Sequence, residues 1–311
     1  MKSKIILSVL LIVIFMNGYG QSGEPVTLKT QTGDIYGTLL IPQTSEKVPV
    51  ALLIAGSGPT DRNGNNPMMK NNALKMLADS LYVHGIASLR YDKRGIAASQ
   101  AAAPEESKLS FDLFIRDAEG WLHFLKQDKR FNSIIVIGHS QGSLVGMVAA
   151  QQNGVTKFIS LEGAGEPINN VIRKQLESQP TEVIRESNRI LDSLAEGKTV
   201  DSVPQFLNSL FRPGVQPFLI SWMRYNPQTE INKLQIPVLI IQGTNDIQVG
   251  QQDATELANA DHRAKLVIIN GMNHILKNAP AERNLNFQTY FKPDLPLNGE
   301  LVKAVVEFIK N

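Results

Sequence analysis

The fold is decided by the stretch IIVIGHSQGSLV, residues 134–145. Its first four residues are apolar and mostly β-branched, which is typical of a buried strand. Apolar residues at helical spacing follow from residue 144. Between strand and helix lies Gly138-x-Ser140-x-Gly142, a turn too tight for side chains at its outer positions. The pattern predicts a strand, a sharp bend that carries a serine, and a helix in direct succession.

Strand-like and helix-like patterns alternate on both sides of this stretch. The strand-like runs cover residues 27–40 (a hairpin), 48–54, 86–89, 134–137, 158–161, 238–241 and 266–269, and the main helical stripes lie at 74–82, 114–125, 144–148, 252–260 and 301–309. Strands that alternate with helices are joined by right-handed crossovers and form a parallel sheet. We therefore predict an α/β fold with a mostly parallel sheet of about eight strands flanked by helices.

Residues 163–233 interrupt this alternation. They have no strand pattern, and prolines and a glycine divide them into several helical pieces. The segment follows the sixth predicted strand, at the edge where the strands end. We expect a helical lid inserted after that strand, since such insertions commonly cover the strand ends.

Length and composition limit the class of protein. The 311 residues, 42% of them hydrophobic, are sufficient for one large domain, which we place at residues 21–311. The chain has no cysteine, which excludes disulfides, thiolate metal sites and a cysteine nucleophile. Of the net charge of +2, two charges belong to Lys2 and Lys4, so no basic face for nucleic acid is expected.

The N-terminus has the pattern of a secretory signal. Lys2 and Lys4 precede an apolar run at residues 5–16, and Gly18 and Gly20 are small residues suited to cleavage. The run is shorter than the roughly 20 residues of a membrane span. We predict a signal peptide at residues 1–20 and a protein that is periplasmic or secreted, without stable membrane insertion. An uncleaved N-terminal anchor is the alternative.

Ser140 is the candidate nucleophile. Glycines at 138 and 142 let it project from a strained bend, and the backbone N–H of Gln141 then points to where an oxyanion forms. A serine hydroxyl is a weak nucleophile that needs a base, and the base needs an orienting acid. The alternative is an ordinary strand–helix turn with an idle serine.

The acid and the base are sought after later strands. In strand–turn–helix serine sites the partners follow in the order serine, acid, histidine. Asp246 follows the strand at 238–241, and His274 follows the strand at 266–269. Glu162, after the strand at 158–161, is a rival position for the acid. Of the other histidines, His139 is expected to point away from the site, and a surface-loop histidine is the plain alternative for His274.

A second oxyanion donor is expected from the loop after residues 48–54. Gly56-Ser57-Gly58 allows close approach of the backbone, and we assign the donor to the N–H of Ser57. A dinucleotide-binding G-x-G-x-x-G motif fails here because Asp61 stands in place of the last glycine. No HExxH or other clustered metal-ligand pattern occurs, so neither a cofactor nor a metal is predicted.

Two charged loops lie near the same edge of the predicted sheet. Residues 61–65 (DRNGN) follow the glycine loop, and residues 90–95 (RYDKRG) follow the strand at 86–89. Substrate contact is possible for both. Internal salt bridges and turn hydrogen bonds that hold the site loops are the favoured interpretation.

Five segments together resemble a known family. They are AGSGPTDRNGN (55–65), RYDKRG (90–95), GHSQG (138–142), GTND (243–246) and NH (273–274). This set resembles bacterial α/β-hydrolases of the serine aminopeptidase S33-like branch, which includes carboxylesterases for short acyl esters and cinnamoyl-type esterases. The likeness covers nearly the whole chain after residue 20, apart from the variable lid. One departure is Ala55-Gly56, where many relatives have His-Gly.

The resemblance implies an α/β-hydrolase fold, a Ser140–His274–Asp246 triad and a preference for carboxylic esters. The substrate expected is a small-molecule ester, and no nucleic-acid partner is expected. An S33-type aminopeptidase, a thioesterase and an inactive binding protein on the same scaffold remain alternatives. The oligomeric state is left open.

Overall fold

A computed structural model describes residues 23–152 and 154–311. Within them, eight strands form one sheet. The strands are β1 Glu24–Thr30, β2 Gly33–Leu40, β3 Val48–Ile54, β4 Ala87–Tyr91, β5 Phe131–His139, β6 Lys157–Leu161, β7 Val238–Gly243 and β8 Lys265–Ile269. The predicted signal segment, residues 1–20, lies outside the described residues.

The sheet has the strand order β1-β2-β4-β3-β5-β6-β7-β8. Strands β1 and β2 pair antiparallel, and β2 is also antiparallel to β4. From β4 to β8 every pairing is parallel. The predicted mostly parallel, eight-stranded sheet is therefore confirmed. Parallel strands end at the same edge, so the loops after β3, β5, β6, β7 and β8 meet there.

Helices cover both faces of the sheet. They are α1 Ala73–Val83, α2 Phe111–Gln127, α3 Gln141–Ala149, α4 Ile168–Leu176, α5 Thr181–Ala195, α6 Asn208–Phe211, α7 Gln216–Met223, α8 Pro227–Asn232, α9 Gln251–Ala260, α10 Arg283–Gln288 and α11 Gly299–Lys310. No helix in the described ranges is both long and apolar enough to cross a membrane.

Side-chain alternation along β5 divides the core in two. Ile134 and Val136 belong to the cluster under α2, α3 and α9. Ile135 and Ile137 belong to the cluster under α1 and α11. Because successive side chains of a strand point to opposite faces, one apolar run fills both layers.

Helices α4 to α8 lie between β6 and β7, and α4 to α7 share an apolar cluster of their own. The segment is attached to the start of α2 through aromatic and ionic contacts. The rings of Phe111 and Trp222 stack with centroids 5.4 Å apart. Tyr225 Oη donates to Asp112 at 2.7 Å, and Arg224 forms an ion pair with the same carboxylate at 2.5 Å. The residues predicted as a lid are thus helical and anchored to the main domain.

Candidate active site

Ser140 occupies the bend between β5 and α3. Its backbone has φ 53° and ψ −122°, and its N–H donates to the carbonyl of Leu161 at 2.9 Å. A positive φ in a non-glycine residue costs about 1–3 kcal/mol and persists only where the surroundings enforce it. This strained bend presents the serine at the edge where the parallel strands end.

The glycines of the motif are required by close backbone contacts. A Cβ on Gly138 would lie 2.3 Å from the carbonyl oxygen of Gly142. A Cβ on Gly142 would lie 2.3 Å from the carbonyl oxygen of Ile54, in the neighbouring strand β3. Both positions are therefore closed to any side chain while the strand, bend and helix keep this geometry.

His274 and Asp246 meet at the same edge from the loops after β8 and β7. His274 Nδ1 lies 2.7 Å from Asp246 Oδ2, and the two side chains are only 5% and 1% exposed. His274 and Ser140 line the same cavity. The hydrogen bonds among the described residues do not include one between Ser140 Oγ and His274. The structure therefore brings the three side chains together and joins two of them directly.

The Asp246 carboxylate is fixed from several sides. Its Oδ1 accepts hydrogen bonds from the backbone N–H groups of Gln248 (2.7 Å) and Val249 (3.0 Å). Burial raises the pKa of this carboxyl, but the charge and hydrogen bond of His274, with hydrogen bonds from Glu162 and Gln248, outweigh burial and lower it to about 2. Asp246 is accordingly ionised at neutral pH and accepts a hydrogen bond from Nδ1 at the edge of the imidazole ring.

His139 lies against the site, so the expectation that it points away is wrong. Its Nε2 is 2.7 Å from the backbone carbonyl of His274, and the two rings lie 4.9 Å apart. Burial, with the nearby His274, lowers the pKa of His139 to about 3, so its ring is neutral. A neutral imidazole with Nε2–H donates to that carbonyl. The residue before the serine thus helps to hold the loop of His274.

Two cavities meet at Ser140. The smaller, about 90 Å³, lies under α4 and α7. Its walls combine apolar side chains, such as Leu144, Ile168, Val171 and Trp222, with polar ones that include Glu166 and Gln175. The larger, about 280 Å³, is lined by His274 and by the loop after β3, with Met69, Leu74 and Tyr290. Ser57 and Ser140 border both cavities.

The loop after β3 passes directly beside the nucleophile. A Cβ on Gly56 would lie 3.1 Å from Ser140 Cβ, so the backbone there is close enough to meet a group bound to the serine. Lys93 is 4% exposed and secures this loop. Its Nζ donates to the carbonyls of Gly56 and, at 3.0 Å, Gly58. Ser57 lies between these two anchored residues, and its N–H and that of Gln141 are the predicted oxyanion donors.

The two charged loops, residues 61–65 and 90–95, form hydrogen bonds and salt bridges with each other and with the rest of the domain. Arg62 forms a salt bridge with Asp92 at 2.7 Å, and its backbone N–H donates to the same carboxylate at 2.8 Å. Arg94 Nε donates to the buried carboxylate of Asp117 at 2.8 Å. Arg90 donates to Asn63. These contacts favour the structural interpretation of both loops over substrate binding.

Glu162 is placed beside Asp246 rather than in its position. The side chain is fully buried and accepts the N–H of Gly243 at 2.9 Å. Burial, then the charge of Asp246 and a hydrogen bond with it, raise the pKa of Glu162 well above its ordinary value, and Asp246 in turn contacts His274. From the sequence, Glu162 is expected as a rival position for the acid, because the pairing of β6 with β7 that brings it beside Asp246 is not visible in the chain order.

No group of three or more His, Asp or Glu side chains suited to a metal ion is found in the part of the chain that the structure describes. The arrangement offers a strained serine, a histidine held by a carboxylate, and backbone N–H groups nearby. These are the elements of acyl transfer through a covalent serine intermediate.

Comparison with known families supports the resemblance found in the sequence. Residues 70–196 match the family described as serine aminopeptidase, S33. The match includes β5, Ser140 and the first part of the helical segment, and it ends before Asp246 and His274.

Esterase EstD of Thermotoga maritima is 25% identical over 265 residues, which cover 79% of this chain and 60% of that protein. The chain thus spans 60% of the length of this relative.

Solved structures show the fold. Est1E of Butyrivibrio proteoclasticus, in a structure with bound ferulic acid, superposes with a TM-score of 0.62 at 17% identity, covering 92% of this chain and 100% of that one. The Pyrococcus furiosus esterase Pf2001 gives a TM-score of 0.59 at 16% identity, covering 94% and 91% of the two chains. The predicted α/β-hydrolase fold is confirmed.

Proposed function

Because the chain has the α/β-hydrolase fold and resembles the serine aminopeptidase S33 family and esterases, we propose that it is a serine carboxylesterase acting on small acyl esters. The observation that carries the proposal is that Ser140 and His274 line one cavity while His274 Nδ1 is bonded to Asp246. A strained serine beside an oriented imidazole is the arrangement that activates a hydroxyl for attack on a carbonyl.

The reaction follows from the roles of these groups. Ser140 Oγ attacks the ester carbonyl while its proton passes to His274 Nε2. The Ser57 and Gln141 N–H groups bind the oxyanion, and His274 then protonates the leaving alcohol as the acyl–serine ester forms. Water, deprotonated by His274, then attacks the acyl carbon, and His274 returns the proton to Ser140 Oγ as the carboxylic acid is released. Asp246 stabilises the imidazolium throughout, and the loss of one oxyanion donor typically lowers kcat by about 10²–10³-fold.

The two cavities bind different parts of the substrate in this proposal. The leaving oxygen must lie within reach of His274, which lines only the larger cavity. The alcohol is therefore assigned to the larger cavity and the acyl chain to the smaller one. A volume of about 90 Å³ suits a short acyl chain. Helices α4 and α7 form the roof of this cavity and serve as the proposed lid.

Hydrolysis of p-nitrophenyl acetate, butyrate and octanoate by the purified chain tests the proposal. Turnover should be fastest for the short esters and should be abolished in Ser140→Ala. Ser57→Ala is the matched control, because it removes a neighbouring hydroxyl but keeps the backbone N–H, and it should remain active. Absence of ester turnover in the wild type would contradict the proposal.

An aminopeptidase is the second candidate because a carboxylate lines the acyl cavity. Glu166 lies there, where the amine of an N-terminal residue would enter. The carboxylate is already paired with Lys174 at 2.8 Å, which favours the esterase. A peptidase would cleave aminoacyl-p-nitroanilides and hydrolyse esters only slowly. Its anilide cleavage should be lost in Glu166→Gln. Two further acids that could bind an amine are engaged elsewhere, Glu162 with Asp246 and Glu186 with Arg185 and Arg189.

Export of the protein is part of the proposal, on the strength of the N-terminal sequence. Expression of the full chain and identification of the mature N-terminus by mass spectrometry tests it. We expect the exported protein to begin at Gln21. A cytoplasmic protein that still begins at Met1 would contradict the proposed export.

A further inference from the structure

Glu162 is a buried carboxyl group that the proposed reaction does not use. It follows β6 directly, is 0% exposed, and has φ 50°, a left-handed conformation that glutamate adopts only under constraint. Its N–H donates to Ile241 at 3.0 Å, and its carboxyl accepts the N–H of Gly243 at 2.9 and 3.2 Å. The strain thus directs the side chain toward the loop that carries Asp246.

The pairing of β6 with β7 and the bond from Gly243 N–H to Glu162 place this buried carboxyl beside the loop of Asp246, and this placement sets the charge of the pair. Asp246 is 1% exposed and is held ionised by His274 and by backbone N–H groups. Two carboxylates in contact cannot both be ionised in a buried site without a cation between them. None of the contacts that Glu162 makes within the described residues is with a lysine or an arginine. A hydrogen bond between two carboxyl groups also requires that one of them carry a proton.

We propose that Glu162 is a neutral carboxylic acid that donates its proton in a hydrogen bond to the Asp246 carboxylate and so positions the Asp246–His274 pair. The inference rests on the proposed catalytic role of that pair. Glu162 is a positioning residue, since it acts on His274 only through Asp246. Burial, and then the charge of Asp246, raise the pKa of Glu162 well above its ordinary value, which agrees with a protonated group at neutral pH.

Two further titratable groups face this pair. His274 contacts Asp246 from the loop after β8, and Tyr290, after α10, is influenced by both carboxyls. Burial raises the pKa of Tyr290 far above neutrality, so its hydroxyl stays protonated in the range tested. Below the pKa of Glu162 the hydrogen bond is present. Above it, a second negative charge replaces the donor, and activity should fall as the pH rises.

Infrared difference spectra of wild type and Glu162→Gln test the protonation state without any need for activity. At pH 8 the wild type should show the carbonyl stretch of a protonated carboxylic acid that the variant lacks. Asp117, whose pKa burial raises to about 6, is ionised at this pH and does not contribute. Glu186→Gln, at a lid residue, is the matched control and should leave the band in place. Absence of the band from the wild type would overturn the inference.

The activity arm compares pH profiles of ester hydrolysis. Glutamine keeps a donor for Asp246 and an acceptor for Gly243, so Glu162→Gln should stay within about threefold of wild-type kcat/KM at neutral pH. The loss of activity at alkaline pH should shift to higher pH or vanish in the variant. The acidic limb of the pH profile should be the same in the variant and the wild type. Equal inactivation by Glu162→Gln and Asp246→Asn would overturn the inference. If the wild type has the carboxylic-acid band but no esterase activity, the proposed function fails while the protonation of Glu162 stands.

Discussion

His139 Nε2 lies 2.7 Å from the backbone carbonyl of His274, so the residue before the proposed nucleophile bonds to the residue proposed as base. Gly56 packs against His139 and Ser140, since a Cβ there would lie 3.2 Å from His139 Nδ1 and 3.1 Å from Ser140 Cβ. One histidine therefore connects the strand end of β5, the glycine loop after β3 and the loop of the base.

Replacement of His139 should weaken catalysis by misplacing His274. We expect His139→Ala to lower kcat about tenfold, because a small misplacement of a catalytic group is costly. His139→Gln keeps a donor and should retain more activity. Because burial lowers the pKa of His139 to about 3, its bond persists above that pH, and neither variant should change the shape of the profile from pH 5 to 9. Equal activity of wild type and His139→Ala would contradict this role.

Lys93 should make stability depend on pH. Burial lowers its pKa from 10.5 to about 7, so between these values the unfolded chain binds a proton that the folded chain does not. The free energy of unfolding of the wild type should then rise, relative to Lys93→Met, by up to about 1.4 kcal/mol per pH unit from pH 7 to 10. Denaturant unfolding at several pH values measures it. The exposed Lys75→Met should show no such trend, and a falling difference would contradict the assignment.

Gly142→Ala should destabilise the fold through a single methyl group. Its Cβ would lie 2.3 Å from the backbone oxygen of Ile54, so strand and helix must separate, at a cost of about 1–3 kcal/mol. Gly299→Ala is the matched control, because no atom lies within 4 Å of a Cβ there. Thermal unfolding of the two variants makes the comparison, and equal melting temperatures would contradict the steric account.

The division of the substrate between two cavities predicts separable specificity changes. Val171→Phe fills the smaller cavity and should lower kcat/KM for p-nitrophenyl butyrate about tenfold, with less effect on acetate. Met69→Phe narrows the larger cavity and should instead change the relative kcat/KM values of esters that share one short acyl group but differ in their alcohol. A series of acyl chains and a series of alcohols, measured on both variants, checks this. If Val171→Phe changed the alcohol preference and Met69→Phe the acyl preference, the assignment of the two cavities would be reversed.

Much of the fold was predictable because it depends on local patterns. The apolar runs of β3, β5 and β7 are nearly continuous, as expected of strands buried on both faces. The strain at Ser140 was predictable because only glycine fits at the outer positions of such a turn. Helix α10, by contrast, was missed, because its sequence RNLNFQ is short, contains two asparagines of low helix propensity and has little apolar periodicity.

The supporting residues of the site were harder to predict. Lys93 stands in a charged run and looks like a surface lysine, yet it is buried against two carbonyls. The contact of Glu162 with Asp246 depends on the pairing of β6 with β7, which no local pattern encodes. His139 was misjudged because alternation along a strand does not describe a residue at its strained end.

Labelling with a fluorophosphonate probe, followed by peptide mapping, tests the central claim most directly. The account predicts one adduct, on Ser140 in the peptide that contains GHSQG, with labelling lost in Ser140→Ala and greatly slowed in His274→Ala. Ser57→Ala should label like the wild type. An adduct on another serine, or no adduct on the folded wild type, would contradict the assignment of Ser140 as the activated nucleophile.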